Sequence, residues 1–389
     1  MVNYYSADIV ITVSSTPLKQ GVVAVNDEGV IEGVYDSHSI PDGVTVKRLA
    51  GVLIPGFVNT HCHLELSHLL GKIPQHTGLP TFLSNVMRDR NYTEKDIVSA
   101  MKKADEMMFK NGIQAVGDHV NSAISASIKE KSKIVYHTFV EIIGVNNAQL
   151  QEKIDHARDL EFHFDANHSS ITPHAPYSCT KMMFKAFKKA ISEDNIISIH
   201  NQESDEENKL FRYKTGDFLT FYAEQGIDMS GFKAQARNSL QSYLPYLPAN
   251  NKIILVHNTF TSLKDLDFIN RMNKQVALCL CPKANLYIEN TLPKIPVFEQ
   301  DNRDITIGTD SLASNDTLDI LEELKMIHTH YPDIDFNKSI RWATLNGAKA
   351  LGLESRLGSI EVGKSPGLVL LKNMNQLRLT KNVQVERIV

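Results

Sequence analysis

Two histidines one residue apart, His61 and His63, close the apolar run that starts at Val52. In an extended chain, residues i and i+2 share a face, so both imidazoles can reach one pocket and hold one metal ion. For an isolated pair, two surface or hydrogen-bonded histidines are the alternative. Three later apolar runs end in residues of the same chemistry: ISIHNQE delivers His200 and Glu203, ILVHN delivers His257, and ITIGTDSLASN delivers Asp310. Convergence of these run ends on one site is a simpler account than four coincidences. If Asp310 is buried there it needs a cation or a polar partner; capping the following helix is its other role.

A fold must bring these ends together. The apolar runs end at Val58, Val116, Val140, Thr172, Ile199, Val256, Leu280 and Ile307, with helical patterns between them. One such pattern is Glu94 to Lys110, where Ile97, Val98, Met101, Ala104, Met107 and Met108 trace one face and Asn111-Gly112 ends it. The methionines read as core filler. Strands interleaved with helices predict a closed (β/α)8 TIM barrel over residues 51–355, with its chemistry at the C-terminal strand ends. An open doubly wound sheet is less suited, since no glycine-rich phosphate loop follows the first strand. Residues 1–50 carry short β-hairpin patterns too small to bury a core alone. Residues 356–389 supply matching strands, which predicts a composite β-sandwich built from both termini with the barrel inserted in it.

Composition narrows the function. The 389 residues carry a formal net charge of -4 and no basic bias, which disfavours nucleic acid or an anionic membrane as the main partner. The four cysteines, Cys62, Cys179, Cys279 and Cys281, are too few for a disulfide framework, and the Cys279/Cys281 pair lacks the second pair that a zinc knuckle needs. Cys62 should face away from its neighbouring histidines by strand alternation. With no basic-headed apolar leader and no run of about 18 apolar residues, the expectation is a soluble cytoplasmic protein.

The motifs PGFVNTHCHLE (55–65), TPHAPYS (172–178), HNQE (200–203), HN (257–258), CPKAN (281–285) and GTDSLASN (308–315) resemble those of the amidohydrolase superfamily. Within it the chain is similar to the deaminase and chlorohydrolase branch, which includes S-adenosylhomocysteine, guanine and aminodeoxyfutalosine deaminases. The resemblance covers essentially the whole chain. It implies a mononuclear centre in which His61, His63, His200 and Asp310 hold one divalent metal, zinc preferred and iron possible, with a position left for water. Binuclear relatives use a carboxylated lysine at the end of the fourth strand, where this chain has His174.

The resemblance further implies hydrolytic deamination. Glu203, placed on a first helical turn after His200, shuttles a proton to the ring nitrogen and then to the departing amine; otherwise it would be a helix N-terminal charge. His257 contacts the water or the developing oxygen, and Asp310 accepts a water proton. No organic cofactor is required. His174 matches the residue that touches the ribosyl part of nucleosides, and His119, Glu141, Arg88, Arg90 and Lys283 are further substrate-contact candidates. Lys283 and Ala284 depart from the arginine or serine that relatives often show there.

The implied substrate is an amino-heterocycle or nucleoside together with water. By HCHLELS and HNQES the chain looks nearer to aminodeoxyfutalosine deaminases than to the S-adenosylhomocysteine branch, which would place it in nucleoside metabolism and menaquinone biosynthesis. A benzoate carboxylate on that substrate would need a cation, for which Arg88, Arg90 or Lys283 are candidates. Guanine, cytosine or S-adenosylhomocysteine deamination, chlorohydrolase or amidase activity, and a non-catalytic metal-binding scaffold are the alternatives. A homo-oligomer is the implied assembly.

Overall fold

The computed structural model describes residues 1–89 and 92–389. Seven strands from the two ends of the chain share one mixed sheet: β1 (Val2–Val10), β2 (Leu18–Lys19), β3 (Val22–Asn26), β4 (Ile31–Tyr35), β5 (Val46–Pro55), β14 (Leu368–Lys372) and β15 (Gln384–Arg387). Pairing β14 to β5, with Leu368 opposite Pro55 and Leu371 opposite Val52, ties the C-terminal residues to the N-terminal ones. Val10, Val23, Val25, Leu53 and Leu370 meet in one buried cluster, so neither segment has a core without the other. This is the β-sandwich expected from both termini.

The β3–β4 turn shows local chemistry setting register. The Asn26 side-chain oxygen accepts the backbone N–H groups of Glu28 and Val30, both at 3.0 Å, and Gly29 takes φ +80°, a conformation that costs glycine little.

Eight parallel strands follow: β6 (Phe57–Cys62), β7 (Ile113–Val120), β8 (Val135–Ile142) and β9 (Ser169–Pro173) in one set, β10 (Ile197–Asn201), β11 (Ile253–His257), β12 (Val276–Leu280) and β13 (Asp304–Ile307) in the other. Backbone bonds join the sets on both sides. His200 N–H donates to the His174 carbonyl at 3.0 Å, and the N–H groups of Thr309 and Asp310 both donate to the His61 carbonyl at 3.0 Å. The result is the (β/α)8 barrel. Its strands are buried on both faces, which is why they read as continuous apolar runs.

The helices cover the barrel through one large cluster containing Met101, Met108, Phe184, Phe187, Leu266 and Leu324. Met101 and Met108 are fully buried core residues of helix Glu94–Lys110, which is capped by Thr93 and stopped at Asn111-Gly112. Cys62 belongs to this outer cluster. No helix among the described residues is long and apolar enough to cross a membrane.

The structure departs from the sequence pattern in two places. The apolar run Val52–Val58 is divided at Gly56: its first part continues β5 in the terminal sheet, and the barrel begins at Phe57. Gly56 donates to the Pro366 carbonyl at 3.0 Å, and a Cβ there would lie 2.7 Å from that oxygen. The polar stretch after His200 contains helices Asp205–Tyr213, Asp217–Glu224 and Ser239–Tyr243, which the sequence left without fine structure.

Candidate active site

The strand ends place His63, His200, Glu203, His257 and Asp310 around the floor of one cavity of about 320 Å³, with His61 just beneath, against His63 and His200. The three histidines His61, His63 and His200 converge, as do Glu203, His257 and Asp310. His63 Nε2 lies 3.2 Å from His200 Nε2. Asp310 Oδ1 lies 3.4 Å from His61 Nε2 and 3.7 Å from His63 Nε2.

Protonation decides what this set can do. His200 Nδ1 is 2.7 Å from the His174 carbonyl, which can only accept, so Nδ1 carries the proton and Nε2 presents a lone pair. Burial, followed by the neighbouring His119 and His200, pushes the His61 pKa well below its ordinary value; burial does the same for His63. Neutral imidazoles therefore face each other, and among the described residues neither ring nitrogen of buried His61 has a hydrogen-bond partner. Such a set is costly without a cation between its members. Bonds of about 2.0–2.1 Å to a tetrahedral zinc would set ligand atoms roughly 3.3 Å apart, close to the separations seen. The donors fit one divalent metal.

Asp310 is oriented by Ser314, whose hydroxyl donates to Oδ2 at 2.6 Å and leaves Oδ1 toward the histidines. Asp310, His257 and Gln202 all adopt left-handed backbone conformations, with φ of +58°, +74° and +46°. For residues other than glycine such conformations are uncommon and cost on the order of 1–3 kcal/mol each.

Glu203 is buried, with Oε1 3.6 Å from His257 Nε2. Burial, reinforced by Asp310, Glu289 and Glu207, raises its pKa well above the ordinary carboxylate value. The expected helical turn does not carry it: helix Asp205–Tyr213 begins later, with Ser204 as its cap. The left-handed turn at Gln202 aims Glu203 instead, and the Glu207 carboxylate holds that turn by accepting Gln202 N–H at 3.0 Å. His257 Nδ1 is 3.1 Å from the Asn285 amide nitrogen. With that amide donating, the proton of His257 sits on Nε2, facing the cavity.

His119 differs from the metal-facing rings. Its Nδ1 pairs with Glu141 at 2.9 Å and its Nε2 with Ser198 at 2.8 Å, so neither nitrogen is left for a metal. Burial alone would raise the Glu141 pKa; His174, His63, His200 and the Asn121 amide outweigh it and hold it below the ordinary value. His174 lines the cavity and bonds Ser178 at 2.7 Å.

Two sequence candidates lie away from this cluster. Arg88 is exposed, bonded to Asn85 at 2.8 Å and Asp89 at 3.4 Å, and Lys283 pairs with Asp316; neither lines the cavity. Arg90 lies outside the described residues. Residues that sequence reasoning missed include Asn285 and Ser314, although both stand inside quoted motifs, and Glu65. The Glu65 carboxylate accepts Asn121 N–H and the Ser122 hydroxyl, at 3.1 and 2.8 Å, and burial raises its pKa to about 7.

Comparison with known proteins agrees with this architecture. The adenosine deaminase of Helicobacter pylori is 27% identical over 327 residues, 82% of this chain and 78% of that protein. The 5'-deoxyadenosine deaminase of Methanosphaera stadtmanae is 24% identical over 94% of this chain and 84% of its own length. The crystal structure of Helicobacter pylori aminofutalosine deaminase in complex with methylthio-coformycin shares the fold, with a TM-score of 0.81, 24% identity, and coverage of 97% of this chain and 93% of that one. A model of the amidohydrolase family matches residues 52–387, from the last part of β5 through β15, and the chain belongs to that family.

Proposed function

We propose that the protein is a metal-dependent hydrolase that removes an exocyclic amine from a purine-like nucleoside, with aminodeoxyfutalosine the first substrate to test. The observation that carries this reading is Glu203, a buried carboxyl group 3.6 Å from His257 and beside the converged donors. His61, His63, His200 and Asp310 would hold the divalent metal, zinc before iron given three imidazoles and one carboxylate, and that ion would supply the Lewis acidity that makes water a nucleophile near neutral pH.

The chain's own groups handle the protons. The Asp310 carboxylate accepts a proton from the attacking water as its oxygen bonds to the amino-bearing ring carbon. Glu203 gives its proton to the adjacent ring nitrogen, a general-acid role that a raised pKa favours. His257 Nε2–H donates to the oxygen of the tetrahedral adduct. Glu203 then takes the proton of the adduct hydroxyl and passes it to the amine, which leaves as ammonia as the ring carbonyl forms, and the proton held by Asp310 restores Glu203 for the next cycle. His174, whose ring lies 4.7 Å from that of His200, would contact the sugar.

The names of the similar adenosine and 5'-deoxyadenosine deaminases support an adenine-type nucleoside. Four buried free cysteines suit a reducing, cytoplasmic compartment. Homo-oligomer assembly rests on the family resemblance alone and is read by sedimentation.

Ammonia release is the test, measured as kcat/KM on zinc-loaded protein for aminodeoxyfutalosine, adenosine, S-adenosylhomocysteine, guanine and cytosine. A nucleoside preference is expected. Preference for a free base would overturn the nucleoside reading, and turnover of an amide or chloro-heterocycle with no ammonia from any amine would overturn deamination.

A further inference from the structure

Two charged residues lie behind the cavity, in the apolar layer between barrel and helices. Side chains alternate along β7 and β8: His119 faces the cavity and Phe139 the barrel interior, so their neighbours Asp118 and Thr138, paired in register, face outward. There Asp118 Oδ2 is 2.6 Å from Lys129 Nζ, with the carboxylate fully buried and the ammonium side chain 6% exposed. Lys129 ends the short helix Ala126–Lys129 that follows β7. Its ammonium also donates to the Thr138 hydroxyl at 3.1 Å and lies 4.8 and 5.4 Å from the ring centres of Phe164 and Tyr136.

A buried ion pair is often no more stabilising than apolar side chains of the same size, so stability alone does not account for this one. The second carboxylate oxygen shows another role. Asp118 Oδ1 accepts Leu64 N–H at 2.7 Å. Leu64 directly follows His63 and opens the short helical turn Leu64–Leu69, for which the His63 side chain provides no capping acceptor; its Nε2 faces His200 instead. A carboxylate from the neighbouring strand thus does the capping. It fixes the peptide that leaves His63, as the N–H groups of Thr309 and Asp310 fix the His61 carbonyl.

We propose that Asp118 and Lys129 are positioning residues for His63: the carboxylate holds the peptide that follows this candidate metal donor, and the ammonium keeps the carboxylate charged and aimed at it. The proposal rests on the reading of His61, His63, His200 and Asp310 as a metal site. It assigns the pair to metal affinity rather than to substrate contact, since neither residue lines the cavity.

The test compares wild type with Lys129→Met, Asp118→Asn/Lys129→Met and Asp118→Leu/Lys129→Met, reading zinc affinity by chelator competition and the visible absorption of cobalt-loaded protein. Lys129→Met strands a buried carboxylate, and zinc should bind about 10- to 100-fold more weakly, with altered cobalt bands. Asp118→Asn/Lys129→Met removes both charges but keeps an oxygen for Leu64 N–H, and should recover most of that affinity. Asp118→Leu/Lys129→Met is equally uncharged, has no acceptor, and should stay weak. Similar Tm in the two double variants, with different zinc affinity, separates positioning from folding. Equal affinity and cobalt bands in those two variants would overturn the proposal, as would wild-type affinity in Lys129→Met. Should the leucine variant not fold, hydrogen exchange at the Leu64 amide of metal-free Lys129→Met decides: faster exchange than in wild type supports the proposal, and unchanged exchange overturns it. No zinc or cobalt bound by wild-type protein would overturn the metal reading and the proposal together, whereas every other failure leaves the metal reading standing.

Discussion

The two halves of the barrel present their site residues in different ways. In β6 to β9 the polar side chains come from regular strand ends: among the described residues, none of His61, His63, His119, Glu141 and His174 has a positive φ. In β10 to β13 the turn before Glu203, His257 itself and Asp310 are all left-handed. Hydrogen bonding differs as well. His119 has both ring nitrogens satisfied, by Glu141 and Ser198, whereas Glu203 faces His257 across 3.6 Å, longer than a hydrogen bond. In the first half, His119 and Glu141 are satisfied by each other, by Ser198 and by Asn121. The second holds its site residues on or beside left-handed turns, at the positions to which the proposed mechanism assigns proton transfer.

Substitutions should separate these roles. Glu203→Gln preserves size while removing the titratable proton, so we expect kcat to fall by about 10²- to 10⁴-fold with metal content, read by atomic emission, unchanged. Wild-type turnover in this variant would end the assignment of the second half to chemistry. In the first half, Glu141→Gln disturbs the contact that orients His119 and the charge 3.8 Å from His200 Nδ1. Its signature should be metal affinity weakened by roughly 10–100-fold, with turnover recovered at saturating zinc. A loss of kcat that excess zinc does not restore would place Glu141 among the reacting groups.

The smallest effect concerns pH and stability. In the first half, burial lowers the His137 pKa from 6.5 to about 3. The unfolded chain then binds the proton more tightly, so this contribution is present above pH 6.5 and is lost as pH falls toward 3. In the second half, burial raises Glu207 to about 7 and Glu323 to about 8. Their contribution is complete below the unfolded value of 4.5 and is lost as pH rises through 7 to 8. Thermal melts of His137→Asn should show a shallower acid limb, and those of Glu323→Gln a shallower alkaline limb, each by a few degrees in Tm. Unchanged limbs in both variants would show that the two halves do not differ in this respect.

The parts legible in the sequence share a physical cause. His61, His200 and His257 each end or nearly end an apolar run, because a barrel strand is apolar until it emerges at the catalytic face. The Gly56 break was hidden because residues on both sides of it are equally apolar. Helix Leu79–Arg88 carries Pro80 in its first turn, where its missing N–H is not needed. Asn285 and Ser314 could be quoted within motifs but given no role, since their contacts to His257 and Asp310 depend on side-chain geometry across turns. Arg88 and Lys283 were attractive as free cations, and nearby Asn85, Asp89 and Asp316 take their hydrogen bonds instead.

The seam between β6 and β13 has a consequence for how the chain assembles. Asn59 and Thr309 bond across it although 250 residues separate them, and the His61 carbonyl receives both N–H groups from the turn that carries Asp310. Closing so long a loop is entropically slow, and the four candidate metal donors cannot assemble until it is done. Tight metal uptake should therefore be among the last events of folding. Once captured, the ion would join the first barrel strand to the last and act as a latch on the seam, because free energy of binding to the closed form alone is added to its stability. Metal-free protein should open first along this line, and hydrogen exchange at the Thr309 and Asp310 amides would register that opening before the rest of the barrel loses protection.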